Sequence, residues 1–183
     1  MVKKWRITTV ALVAIILAVV WVMVEKSETY SEPQKALFAI DNELLLIPAY
    51  QMNDKALFFF IKDKDSLGAV YVRKGLFGWK AGMLTWSAID KERHYDSYHL
   101  NGTQRQGGSL LYGLIKNGND RIVQVNEEQA KMLNLATVGQ ENIEEYRLEE
   151  LFIWYFEGDE SITEDEIKLL DKDTGEELNP ANF

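Results

Sequence analysis

Cysteine is absent from all 183 residues, which excludes disulfides, thiol nucleophiles, thiolate zinc sites and a lipidated cysteine anchor, and leaves stability to packing. Histidine is scarce: only His94 and His99 occur, so imidazole chemistry has few places to sit. With three prolines and no stretch rich in Pro, Gly or Ser, no linker divides the chain after its N-terminal segment. Positive charge is also thin. The formal net charge of −9 divides into +3 on residues 1–26 and −12 on the remainder. Such a field repels phosphate and favours cations or basic partners, so nucleic-acid binding is excluded. No GxSxG or SxxK signature is found, and carboxylates are too numerous for any pair to stand out as catalytic.

One feature is abundant at the N-terminus, a long apolar run. Lys3, Lys4 and Arg6 precede Ile7–Val24, which carries no charge. As a helix the run rises about 27 Å, near the ~30 Å of a bilayer core, with Trp5 and Trp21 at interfacial positions. It exceeds a signal-peptide core, and bulky Trp21, Val22, Met23 and Val24 offer no cleavage site. The pattern predicts a cytoplasmic tail over 1–6, an uncleaved transmembrane signal-anchor over 7–24, a polar stalk over 25–31 and a domain outside the cell membrane over 32–183. Ala11, Ala14 and Ala18 share one helical face, open to helix pairing or to lipid.

Beyond the stalk, SEPQKALFAIDNELL predicts a short helix over 32–43, with Ser31 as N-cap, Gln34 as its capping-box partner and Pro33 in the first turn. Ala36, Leu37, Ile40 and Leu44 form its apolar face. Short apolar runs then alternate with turn residues: LLLIPAY, ALFFFI, LGAVYV, SLLYGLI, RIVQV, MLNLATV, LFIWYF and EIKLL. Eight to ten strands are expected, with Pro48 at an edge or a break and NGND as a hairpin turn. The fold class expected is α+β: one N-terminal transmembrane helix, then a mainly antiparallel β ectodomain with one short packed helix. Residues 94–108 form the longest irregular stretch, expected as a mobile loop.

The anchor, the Pro33 to Ala36 helix start, the phenylalanine-rich strand, the Gly78–Trp79 pair and the Tyr112–Gly113 pair together resemble small membrane-anchored exported proteins of Bacillus-type Gram-positive bacteria. The resemblance implies a cell-envelope location and no particular activity.

Among candidate sites, KGLFGWKAG over 74–82 places Gly75, Gly78 and Gly82 around Phe77, Trp79 and Lys80. It lacks the lysine and hydroxyl pattern of a phosphate loop and reads as a bend, although Phe77, Trp79 and Trp86 could form an aromatic shelf for a sugar or peptide. His94, Asp96 and His99 are the only metal-like or acid–base grouping, and five residues of separation point the two imidazoles apart on a strand or helix. DKDTGEE over 171–177 begins like a calcium loop at Asp171 and Asp173, but its glycine falls one position early and Asn182 stands where the closing glutamate belongs, so a hairpin turn is preferred. Glu157, Asp159, Glu160, Glu164, Asp165 and Glu166 read as a solvated acidic loop.

These features point to a non-catalytic binding module for a protein, peptide or envelope component, with no cofactor, metal or catalytic residue assigned. The alternatives are an envelope-polymer enzyme using carboxylates near 94–108, and a sensor or regulatory subunit of a membrane complex.

Overall fold

The run Ala56 to Ile61 has no polar residue in it because it is covered on both faces. In the computed structural model β2 (Lys55–Lys62) lies between β1 (Leu45–Met52) and β3 (Ser66–Lys74), all antiparallel. Successive side chains of a strand leave opposite faces. Accordingly Leu57, Phe59 and Ile61 enter one core layer, whereas Ala56, Phe58 and Phe60 enter another. The structure describes all residues except 1, 91, 93, 96–99, 101, 102, 107, 108, 159–161, 164, 165 and 179–183, and the backbone alone of 2–9, 11 and 140.

Three antiparallel sheets stack. The first is completed by β4 (Trp79–Ala81) and β5 (Thr85–Ala88), which follow one another along β3. In the second, β6 (Gln104–Gln106), β7 (Leu110–Lys116), β10 (Lys131–Asn134) and β11 (Leu151–Glu157) run in the order β10-β11-β7-β6. β8 (Arg121–Val125), β9 (Glu128–Gln129) and β12 (Ile167–Asp171) make the third, in the order β12-β8-β9. Between the first and second sheets lies the main core, with Phe59 against Tyr112 and Tyr155 at ring separations of 5.3 and 5.4 Å. Between the second and third lie Trp154, Phe152, Val123 and Leu169. The outer face of the first sheet is closed by Trp79 and by α2 (Pro33–Phe38), through Ala36 and Leu37.

Several expectations are corrected. The chain is mostly β-sheet with few helices rather than α+β. The helix expected over 32–43 stops at Phe38, its N-cap is Glu32 rather than Ser31, and no side chain caps it. Asp41 explains the early stop: its carboxylate accepts from Glu43 N and pairs with Lys62, which turns the chain, so Leu44 is buried from outside the helix and Ile40 is exposed. A second short helix, α3 (Gln140–Tyr146), follows the 3-10 turn Leu135–Val138.

The N-terminal helix α1 (Val2–Ser27) continues through the first residues of the expected stalk. Among the described residues no helix is long and apolar enough to cross a membrane. This finding corrects the transmembrane anchor over 7–24, and with it the cell-membrane, signal-anchor and outside-domain readings. Lys3, Lys4, Trp5, Arg6 and Ala11 have side chains outside the described set; Ala14 and Ala18 are exposed. The end of α1 is tied to the first sheet: Lys80 pairs with Glu28 and lies 3.9 Å from Glu25, and Tyr30 exchanges both backbone hydrogen bonds with Trp79.

The NGND turn joins strands of different sheets and closes no hairpin. β7 pairs with β11 on one edge and, over Leu110–Tyr112, with β6 on the other, where Lys116 N also donates to Tyr95 O, and β8 pairs instead with β12 and β9. The corner is held by Asn117 N donating to Glu150 O and by Lys172 N donating to Asp120 O.

Candidate functional site

Where the inward faces of the first and second sheets run out to the rim, their alternation delivers polar side chains in place of apolar ones. On β2 the inward positions Ile61, Phe59 and Leu57 are followed by Lys55. On β11, Leu151, Ile153 and Tyr155 are followed by Glu157. β3 contributes Tyr71, paired across the ladder with Leu57. On β1 the register slips between Pro48 and Tyr50, so that Tyr50 faces Leu57. Proline, having no N–H, is tolerated on this edge strand, and the bulge beside it re-aims Tyr50 inward.

These groups converge on one oxygen. Glu157 Oε1 accepts from Tyr71 Oη at 2.7 Å, Tyr50 Oη at 2.9 Å and Lys55 Nζ at 2.9 Å. The Lys55 ammonium also lies 4.3 Å from the Tyr71 ring centre and 5.8 Å from that of Tyr50. Lys131 stands over the next two rings, 5.5 Å from Tyr155 and 5.7 Å from Tyr50. A recess of about 410 Å³ opens beside the cluster, lined by Tyr50, Lys55, Lys131, Tyr155, Glu157 and the turn from Met52 to Asp54.

Burial by itself would raise the Glu157 pKa, but the hydrogen bonds from Tyr71, Lys55 and Tyr50 outweigh it and hold the carboxyl below its ordinary value. Tyr71 and Tyr50 are both raised, first by burial and then by donating to that carboxylate. Tyr155 is raised by burial and by the nearby charge of Glu157. For Lys55, burial lowers the pKa, and the bonds to Glu157 and Tyr50 overcome this to leave it raised.

The residues singled out from sequence fall elsewhere. Trp79 is buried beneath α2, Phe77 is half-buried in the turn before it, and Trp86 is exposed on β5, edge-on to Phe60 with Lys62 over its face. No aromatic contact joins these three rings among the described residues. His94 is exposed, with Nδ1 3.2 Å from Asp90; Asp96 and His99 lie outside the described residues. Residues 94–108 are not irregular throughout, because Tyr95 is buried in the main core with its hydroxyl accepting from Asp90 N, and 104–106 form β6. Asp171 is occupied by its own turn, its Oδ1 accepting from Asp173 N, Thr174 N and Thr174 Oγ1. Asp159, Glu160, Glu164, Asp165 and Asn182 lie outside the described residues. Among the described residues no cluster of three or more His, Asp or Glu side chains is gathered for a metal ion. Glu157, read as the start of a solvated loop, is the half-buried end of a strand. Its position two residues beyond Tyr155, in step with Leu151 and Ile153, is the signal that places it on the inward face.

Comparison with protein-family models, with curated proteins and with solved structures yields no match for this chain.

Proposed function

We propose that this chain is a binding module that performs no covalent chemistry, and that it receives its ligand in the tyrosine-walled recess at the rim of the first two sheets. The ligand is a small molecule or a projecting group of a protein, peptide or polymer. The observation that carries this reading is the three-donor seat of Glu157. General acid–base catalysis works best when a group titrates near the working pH. Here each shifted group moves away from neutrality: the carboxyl down, the phenols up, the ammonium up. The carboxylate and the phenols held in this way supply fixed charge and shape. The recess sets two tyrosine rings among a few placed charged and polar groups, and concave sites with such convergent groups are where small ligands bind.

The test is NMR of the full chain with ¹³C-labelled tyrosine, titrated separately with an amine, a carboxylate, a neutral oligosaccharide and a mixed-sequence peptide. Saturable shifts of Tyr50 and Tyr155 with at least one class, the probe being recovered unchanged, are expected. Conversion of a probe that stops in Glu157→Gln would make the recess an active site. Saturation at other tyrosines alone would move the site elsewhere.

A further inference from the structure

We infer that the recess is a cage for alkylammonium groups, and that Lys55 is its internal occupant, displaced when the cation of a ligand enters. This rests on the recess being the ligand site. The stationary parts of the cluster are strand-borne: three tyrosine rings and one carboxylate, with the Tyr50 and Tyr71 hydroxyls both donating to Glu157 Oε1. Ring faces and a carboxylate all attract positive charge. The movable parts are the two lysines, ammonium groups on flexible stems, and both already occupy the positions that such a frame favours. What the protein itself places against the rings identifies the chemistry that the frame accepts.

An anion meets a different balance. The Lys55 charge is already neutralised by Glu157, and an anion entering beside it faces an ionised carboxylate and the negative faces of the tyrosines. The chain's net charge of −9 likewise draws cations toward the recess and repels anions. The Lys55 side chain is 39% exposed, so its ammonium can leave into water along the side from which a ligand arrives. An incoming primary or methylated ammonium would take over the Glu157 oxygen and the Tyr71 and Tyr50 faces, with its carbon chain lying along Tyr155.

The experiment compares tetramethylammonium, N-acetyl-lysine amide and its trimethyl form with 3,3-dimethylbutanol, the uncharged counterpart of choline, and with acetate. Each is titrated into the full chain and into Lys55→Met, Lys131→Met and Glu157→Gln, with the tyrosine resonances as readout. The ammonium probes are expected to bind and dimethylbutanol to bind at least about tenfold more weakly, the alkyl shape being equal. Removing a tethered competitor raises the competent fraction, so Lys55→Met should bind the ammonium probes about tenfold more tightly. Glu157→Gln should weaken them. Stronger binding of the free methylated ions than of the lysine derivatives would mark a small-molecule ligand, and the reverse a lysine side chain; either result supports the cage. Equal binding of dimethylbutanol overturns it, as does unchanged ammonium affinity in a folded Lys55→Met. Should Lys55→Met fail to fold, the charged and uncharged probes on the unsubstituted chain decide. Acetate binding that is lost in Lys131→Met would make the recess an anion site, ending the cage while leaving the binding module intact. Silence at Tyr50, Tyr71 and Tyr155 with every probe ends both.

Discussion

Glu157 concentrates three donors on one carboxylate oxygen, and the consequences are measurable one residue at a time. Removing the Tyr71 hydroxyl leaves the carboxylate two of its donors, so Tyr71→Phe should lower stability by about 1.5 to 3 kcal/mol, the range for a hydrogen bond to a charged group. A double-mutant cycle with Glu157→Gln, read by chemical denaturation, should return a coupling above about 0.5 kcal/mol. Strictly additive effects would show the bond to be energetically idle. The pH dependence has a definite sign. The folded pKa of Glu157 lies below its ordinary 4.5, so its contribution is fully present above that value and is lost as pH falls through the lowered folded pKa. Denaturation midpoints of the unsubstituted chain and Glu157→Gln should therefore converge on acidification below about pH 4.5 and differ by a constant amount above it.

At the scale of the element, 74–82 is a turn that seats a core tryptophan. Gly75 N donates to Gly78 O, closing the turn, and Trp79 then enters the layer beneath α2. Gly78 has φ +150°, and a Cβ there would lie 2.5 Å from the carbonyl oxygen of Tyr30, so both conformation and close approach require glycine. Trp79→Ala should cost roughly 3 to 5 kcal/mol, as for a large buried aromatic. Leu76→Ala, at an 86% exposed position of the same turn, should stay within about 0.5 kcal/mol. Thermal or urea denaturation of the pair checks this. A near-neutral Trp79→Ala would mean that the ring does not help to hold the first sheet.

Across the whole molecule negative charge prevails, at −9 overall. Self-repulsion of that size weakens the folded state at low ionic strength and is relieved by screening. Sodium chloride should raise the melting temperature, and millimolar calcium and magnesium should do so by similar small amounts. Asp171 does not alter this expectation, because its oxygen is taken by Asp173 and Thr174 of its own turn. A large shift at micromolar calcium, unmatched by magnesium and lost in Asp171→Ala, would reveal a structural ion at 171–177.

Local pattern determined much of what is seen. The strands that appear over ALFFFI, LGAVYV, SLLYGLI, RIVQV and LFIWYF follow from period-two burial and from the turn residues between them, which are properties of neighbours along the chain. The edge position of β1 and the slip at Pro48 follow from a missing N–H. Only the tertiary structure decided that β7 and β8 part into different sheets, because an edge is free or filled according to strands far away in sequence. It also overturned the reading of α1, and it made Glu157 half-buried by standing β11 against β1, β2 and β3. The recess and the cluster beside it unite Tyr50, Lys55, Tyr71, Lys131, Tyr155 and Glu157 from five strands, with hydrogen-bonded partners up to 107 positions apart in sequence. No spacing motif can encode such a site, because its geometry is set by the packing of two sheets.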